Sequence, residues 1–421
     1  MKRTVLLALG AALASAPATA AQPVYQWSGL YGGAQAGYAA ANASEGRHSM
    51  PGVVYWDRGA EGATAGVFLG YNRLFAGSWL GGFEVEGNWS NLADGCHTDL
   101  IGQPYYVANW SAAARLRFGF LPEASTLIYG SIGIAEATFD YSRGFWSSAG
   151  DSGLVLSPVG VQLGAGIETF LSPHVSIRAE GVFTHYAGST FPYGGIPYWD
   201  VAPDTLLARV SVAYHPGWLG QPQFVSAGEP VTYSWSGLYA GVHVGAAILH
   251  LLDDTVPPST PDEYRDLSAS SAVVGMHAGV NWQTGNLVAG VEGDASAVGL
   301  APLFSGGLEL ARQSWTAAVR ARLGVVTANN TLLYGTVGWA VGHFDYSRTF
   351  PPPATTGAVF NAGGLQVGAG AEAFLTRRVS VRVEGLYTAY GSHTIFDLGT
   401  PYWQAQSRSL EGSIGVSYHL R

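Results

Sequence analysis

Residues 110–120 read Trp110-Ser-Ala-Ala-Ala-Arg-Leu-Arg-Phe-Gly-Phe120. In an extended chain successive side chains point to opposite faces. One face then carries Trp110, Leu116, Phe118 and Phe120, and the other Ser111, Arg115 and Arg117. Val175-Ser-Ile-Arg-Ala-Glu-Gly-Val-Phe183 repeats the pattern, with Val175, Ile177 and Phe183 opposing Ser176, Arg178 and Glu180. Alternation of period two predicts strands with one apolar and one charged face.

Composition says which solvent the apolar face meets. Charged residues make up 12% of the chain, against about 25% in soluble domains. Glycine supplies 58 of 421 residues and aromatics 12%. Beyond the N-terminal signal, no run reaches the roughly 18 apolar residues of a membrane helix. The remaining way to cross a bilayer is a closed β-barrel. A pair of soluble, secreted β-sandwiches is the competing architecture, but it uses shorter strands and exposes more charge.

The first 20 residues read as a secretory signal. Lys2 and Arg3 precede the apolar run Val5–Ala14, and Ala18-Thr19-Ala20 supplies the small residues of a cleavage site. Once Lys2 and Arg3 are removed with that signal, the 20 basic residues fall to 18 against 29 acidic ones, a net charge of −11. Nucleic acid, which selects basic patches, is excluded as a partner. Cys96 is the one cysteine, so no internal disulfide forms and stability must come from the core or from lipid.

The chain is a doublet. Leu127-Ile-Tyr-Gly-Ser-Ile-Gly-Ile-Ala-Glu-Ala-Thr-Phe-Asp-Tyr-Ser-Arg143 returns as Leu332-Leu-Tyr-Gly-Thr-Val-Gly-Trp-Ala-Val-Gly-His-Phe-Asp-Tyr-Ser-Arg348. Trp27-Ser-Gly-Leu-Tyr31 returns as Trp235-Ser-Gly-Leu-Tyr239, and Pro197-Tyr-Trp199 as Pro401-Tyr-Trp403. A period that long is a repeated domain rather than a solenoid of short repeats. Each copy holds eight strand-like runs, near 28–41, 62–75, 79–92, 109–121, 125–143, 158–171, 175–187 and 206–215, then 236–249, 271–283, 287–299, 312–326, 331–348, 361–375, 379–390 and 407–419. Short links alternate with long ones, as in outer-membrane barrels with short periplasmic turns and longer extracellular loops. Eight crossings return each copy to the periplasmic side. The expected organisation is a signal at 1–20, a barrel at 21–215, a periplasmic Pro/Gly linker at 216–234 and a second barrel at 235–421.

The Trp-Ser-Gly-Leu-Tyr starts, the Glu-Gly of the third strand and the pair Gln162-Leu-Gly-Ala-Gly-Ile-Glu168 and Gln366-Val-Gly-Ala-Gly-Ala-Glu372 resemble the small outer-membrane β-barrel family, the porin-like, OmpA-transmembrane-domain type of Gram-negative surface protein. The likeness covers nearly the whole mature chain, once per half. It implies an all-β fold of two tandem eight-stranded antiparallel transmembrane β-barrels in the cell outer membrane. It also implies insertion by the outer-membrane assembly machinery and contact with outer-membrane lipid and lipopolysaccharide. Such proteins usually end on an aromatic residue, whereas this sequence runs on from Leu420 to Arg421. One sixteen-stranded barrel, a general porin for small hydrophilic solutes, is the alternative. The long linker disfavours it, because a hairpin within one barrel needs about two to five residues.

Inward charges recur in both copies: Glu84, Glu86, Arg115, Arg117, Glu168, Arg178, Glu180 and Arg209, then Glu292, Arg320, Arg322, Glu372, Arg382, Glu384 and Glu411. Unpaired charge facing hydrocarbon is expensive, so these side chains must face the lumen and pair. An eight-stranded lumen is one that side chains can just fill. A salt-bridged plug is therefore preferred to a pore, with a structural or surface role and weak small-solute permeation. Aromatics at strand ends should form girdles; Trp27, Tyr31, Trp79, Trp89, Trp110, Phe118, Trp235, Tyr239, Trp315 and Tyr334 are the candidates.

Catalysis has little support. His185 with Ser189, or Ser392 with His393, are the pairs that an outer-membrane hydrolase acting on lipid or peptide would use. The halves do not repeat them, and neither pair comes with a positioned base and an orienting acid. Asp253, Asp254, Asp262, Glu263 and Asp266 crowd one loop but lack fixed cation-ligand spacing. Gly164-Ala-Gly166 lies within a strand, not at the turn of a dinucleotide site. No cofactor, metal or catalytic residue is expected.

Overall fold

The computed structural model describes residues 25–49, 54–93, 106–141, 154–193, 196–216, 233–255, 264–301, 303–304, 308–309, 311–327, 330–350, 354–397 and 400–420. The expected signal at 1–20, Cys96, Arg421 and most of the expected linker at 216–234 lie outside them. All regular structure among these residues is β.

The first half runs β1 (Gly29–Arg47), β2 (Val54–Phe75), β3 (Trp79–Ala93), β4 (Tyr106–Glu123), β5 (Thr126–Tyr141), β6 (Leu154–Leu156), β7 (Val159–Ser172), β8 (Val175–Tyr186), β9 (Ser189–Tyr193) and β10 (Ile196–Tyr214). Each long strand pairs antiparallel with its neighbours, and β1 pairs with both β2 and β10. The ladder thus closes into an eight-stranded barrel, with β6 and β9 as additional short strands. The second half runs β11 (Gly237–Thr255), β12 (Tyr264–Thr284), β13 (Leu287–Leu300), β14 (Leu303–Phe304), β15 (Leu308–Glu309), β16 (Ala311–Val326), β17 (Leu332–Phe350), β18 (Ala354–Phe374), β19 (Val379–Tyr390), β20 (His393–Asp397) and β21 (Thr400–Leu420). Its pairings follow the same order, and β11 pairs with β12 on one side and β21 on the other.

The strands run further into the long connections than alternation alone indicates. The β1–β2 ladder continues to Glu45↔Trp56, through residues 42–61 that read as a loop. Continuing the ladder satisfies backbone groups that would otherwise need another partner. The short turns match their sequence better: Gly77 and Gly285 take φ of +78° and +60°, the left-handed conformation glycine favours.

Side chains sort as the period demands. Val67, Leu69, Phe83, Leu116, Phe118, Ile132, Ile134, Val242, Val319 and Leu323 lie exposed on the outer wall. Arg115, Arg117, Arg178, Arg320, Arg322 and Arg382 are among the largest fully buried side chains. That is the reverse of a soluble protein's arrangement and suits a wall solvated by hydrocarbon.

The halves touch along a seam of small residues. Gly181 faces Gly412 and Gly385 faces Ala208, which lets the backbones approach. Ala40, Leu206, Ile248 and Leu410 pack beside them. Towards the long-loop end the seam is polar: Arg408 donates to Glu61 at 2.8 Å, Ser268 to Asn42 at 2.6 Å and Ser270 to Asp204 at 2.6 Å.

Candidate functional site: two charged lumens

Register brings the charges together. Glu84 stands opposite Arg115, Glu168 opposite Arg178 and Glu180 opposite Arg209 on adjacent strands. Glu84 is the hub. It accepts from Arg115 Nε at 3.0 Å, Arg178 Nη1 at 2.8 Å and Tyr31 Oη at 2.8 Å. Arg209 grips Glu86 with two parallel hydrogen bonds of 3.0 and 2.8 Å and reaches Glu180 with its Nε at 2.8 Å. Glu180 also accepts from Arg115 and Tyr129, each at 2.9 Å. Arg117 donates to Glu168 at 2.6 Å and lies 4.0 Å from the Tyr129 ring centre. Charge-assisted and bidentate bonds of this kind are the strong ones. In this belt four carboxylates face four guanidinium groups, and Glu45–Arg58 adds one of each sign towards the rim.

The second lumen begins the same way. Glu292 accepts from Arg320 and Arg382, each at 2.5 Å, and from Tyr239 at 2.9 Å. Arg322 donates to Glu372 and lies 3.7 Å from the Tyr334 ring centre. Then it departs. Glu384 faces Ser413 where Glu180 faces Arg209. Its oxygens come no closer than 3.4 Å to Arg320 and 3.7 Å to Arg382, and among the described residues neither oxygen has a hydrogen-bond partner.

All 15 charged residues singled out from sequence are buried inside the two rings, each drawn into a network. Sequence reading passed over His243, His277 and Asp294, which join Glu411 in the second lumen. Aligning the copies exposes them: His243 replaces Gln35, His277 replaces Phe68, Asp294 replaces Glu86 and Glu411 replaces Leu207.

The aromatic candidates divide. Trp79, Trp89, Trp110, Phe118 and Trp315 are exposed on the outer wall. Trp27, Tyr31, Trp235, Tyr239 and Tyr334 are buried instead, so they belong to no girdle. Trp27 packs on Phe170 at the short-turn end and donates Nε1 to the Ala124 carbonyl at 2.8 Å. The Ser-Gly that follows allows the entry: Gly29 and Gly237 take φ of +120° and +122°, and Ser28 Oγ accepts the Leu74 amide. The glycines of the Gln-x-Gly-Ala-Gly-x-Glu strands also have a cause. A Cβ on Gly166 would lie 2.4 Å from Tyr129 Oη, and one on Gly370 would lie 2.7 Å from Tyr334 Oη. The tyrosine rings lie flat on these glycines.

Three of the four candidate hydrolase residues, His185, Ser392 and His393, are engaged elsewhere. His185 Nδ1 meets Asp204 at 2.6 Å, and Asp204 also accepts from Ser270. The imidazole is thus engaged by an acid, and the hydroxyl bonded to that acid is Ser270, not the candidate Ser189. Ser392 Oγ accepts from Gln404, while the His393 ring stacks on Phe360. Of the loop acids, Asp262 and Glu263 and the side chain of Asp253 lie outside the described residues. Asp266 is buried, 3.3 Å from His250.

Comparison with known proteins agrees with this architecture. The model of the outer membrane protein beta-barrel domain matches residues 5–212 and again 223–419. The 31 kDa outer-membrane immunogenic protein of Brucella melitensis is 28% identical over 215 residues, 48% of this chain and 90% of that protein. The 25 kDa outer-membrane immunogenic protein of the same organism is 31% identical over 186 residues, 44% of this chain and 79% of its own. The 22 kDa outer membrane protein of Rhizobium leguminosarum bv. viciae is 37% identical over 144 residues, 34% of this chain and 64% of its own.

Proposed function

We propose, for a chain that belongs to the outer membrane protein β-barrel family and resides in the cell outer membrane, that each half is a separate eight-stranded barrel spanning that membrane. The closures β1–β10 and β11–β21 support two barrels over one of sixteen strands. The role is structural and surface-exposed, without catalysis. The observation that carries it is the pair of arginine–carboxylate networks filling the lumens. Arg115 and Arg320 are 1% and 0% exposed, which leaves little room for flux beyond weak permeation by small solutes. Lipid and lipopolysaccharide solvate the outer wall, and the outer-membrane assembly machinery inserts the chain. That two of the relatives are named as immunogenic outer-membrane proteins supports loops facing outward, where loops carry contacts.

The test has two arms. The native chain should fractionate with the outer membrane and migrate faster on gels when unheated than when boiled. Refolded protein in planar bilayers should give no stepwise conductance. Recovery in the soluble periplasm would defeat the barrel reading, and large regular steps would replace the plug with a porin.

A further inference from the structure

The belts of the two lumens differ in charge. The first sets Glu84, Glu86, Glu168 and Glu180 against Arg115, Arg117, Arg178 and Arg209, four acids to four arginines. The second sets Glu292, Asp294, Glu372, Glu384 and Glu411 against Arg320, Arg322 and Arg382, five acids to three, all buried. Replacement of Arg209 by Ser413 removes a fixed cation, and replacement of Leu207 by Glu411 adds an acid to the same strand. Two buried negative charges are left over, and burying charge without compensation is costly.

The same substitutions bring in titratable bases. His243 on β11 and His277 on β12 hold their rings 5.7 Å apart. His243 Nε2 lies 3.6 Å from Asp294 on β13 and 3.9 Å from Glu411 on β21, and accepts or donates a 2.9 Å bond with Ser296. His277 Nε2 meets Ser417 at 2.8 Å. Glu384 on β19 offers two oxygens, and Glu411 one, that have no hydrogen-bond partner among the described residues. Tyr334 Oη on β17 is likewise unpartnered there, although its counterpart Tyr129 bonds Glu180. Arg320 and Arg322 on β16 and Arg382 on β19 are committed to Glu292 and Glu372, while His419 on β21 lies by Glu372, as His215 lies by Glu168 in the first lumen. Among the described residues no three His, Cys, Asp or Glu side chains are arranged to hold a metal ion.

We propose that the second lumen is a proton-binding site, in which exchangeable protons shared among His243, Asp294, Glu384 and Glu411 take the place held in the first lumen by the fixed guanidinium of Arg209. The first lumen is locked at every pH the cell meets, because arginine does not deprotonate there. The second changes its charge, and with it the bonds across the lumen, as protons enter and leave.

Infrared spectroscopy of the refolded full chain tests this. Wild type should show a protonated-carboxyl band that is still present at about pH 6, above the ordinary carboxylate range, and disappears towards about pH 9. Glu411→Leu with Ser413→Arg installs the residues of the first lumen and should abolish the band. The reverse graft, Leu207→Glu with Arg209→Ser, should add to it, and decides the matter if the first variant does not fold. Absence of the band in wild type, or its persistence unchanged in folded E411L/S413R, overturns the proposal. So does stoichiometric binding of added Zn²⁺ to chelator-treated wild type without any carboxyl band, since a metal ion would then supply the missing charge.

Discussion

One chain contains two lumens built from the same parts, and they solve the same electrostatic problem differently. In the first, Arg209 bridges Glu86 and Glu180 and leaves both carboxylates hydrogen-bonded. In the second, Ser413 stands in that place and Glu384 is left without a hydrogen bond among the described residues. The shared part, a glutamate hub with arginines from β4 and β8 or β16 and β19, is enough to fill the ring. The part that differs decides whether the filling is saturated. Removing one partner of a saturated buried pair strands a charge, whereas removing a surplus acid relieves repulsion.

The largest expected effect follows from that contrast. Glu84→Ala leaves Arg115 and Arg178 without their shared carboxylate and should lower stability by about 3–5 kcal/mol. Asp294→Ala in the second lumen removes one of the surplus acids and should cost under about 1 kcal/mol or stabilise, the usual result when a poorly compensated buried charge is deleted. Urea titration of refolded protein, scored by the fast-migrating unboiled band, measures both. Equal losses would erase the distinction between the lumens.

A second pair of changes probes what the lumens share. Gly166→Ala and Gly370→Ala each drive a methyl group into a tyrosine ring flanked by strands, and each should cost about 1–3 kcal/mol as an overpacked core. Gly130→Ala is the control, because its nearest neighbour across the sheet is 3.8 Å away. Similar losses at Gly166 and Gly370 with none at Gly130 would place the floor of both lumens under the same constraint. A loss in only one half would extend the asymmetry to the floor.

Much of this was legible in the sequence, and the misses have physical causes. Period-two alternation located the strands and assigned Arg115, Arg117, Arg178 and Glu180 to the inner face, because a barrel wall has only two faces. It did not locate the strand ends, since the ladder of β1 and β2 continues where alternation fades. Trp27, Tyr31, Trp235 and Tyr239 read as girdle residues because position near a strand end is visible in sequence. The turn at Gly29 that carries Trp27 beneath the lumen is not. The histidines of the second lumen escaped for a different reason. Their partners lie on strands far apart in sequence, and a single histidine on an inner face says nothing of the acids opposite it. Only the position-by-position difference between the copies marks them.

The two entry tryptophans offer a smaller contrast. Trp27 donates to the Ala124 carbonyl, whereas Trp235 Nε1 has no partner among the described residues. Both rings are buried against a phenylalanine and a histidine. Trp27→Phe should therefore cost more than Trp235→Phe, by about 0.5–1.5 kcal/mol, the net worth of one hydrogen bond. Paired urea midpoints for the two variants read the difference directly. Equal shifts would mean that ring packing alone holds the entry segment.

The smallest effect belongs to the long-loop rims. Asp200 accepts from Thr190 at 2.7 Å and meets His48 Nδ1 at 3.0 Å. Slight burial pushes its carboxyl up, but the bonds from Thr190 and then His48 outweigh it and hold the group below its ordinary range. A depressed carboxyl contributes stability that is present above its unfolded value and is lost as pH falls through its folded one. At the corresponding place in the second half stands Gln404, bonded to Ser392 and without charge. Acidification below about pH 4, the ordinary aspartate value, should therefore loosen the first rim and leave the second unchanged. Asp200 is exposed, and solvent screening keeps the change small. Amide hydrogen exchange at residues 196–201 and 400–405, compared between wild type and Asp200→Asn, reads it out. Relative to the intrinsic exchange rate at each pH, the wild-type first rim should be less protected at low pH than at neutral pH, and the variant should show no such pH step. A step of equal size at 400–405 would mean that the rims respond to acid through some group other than Asp200.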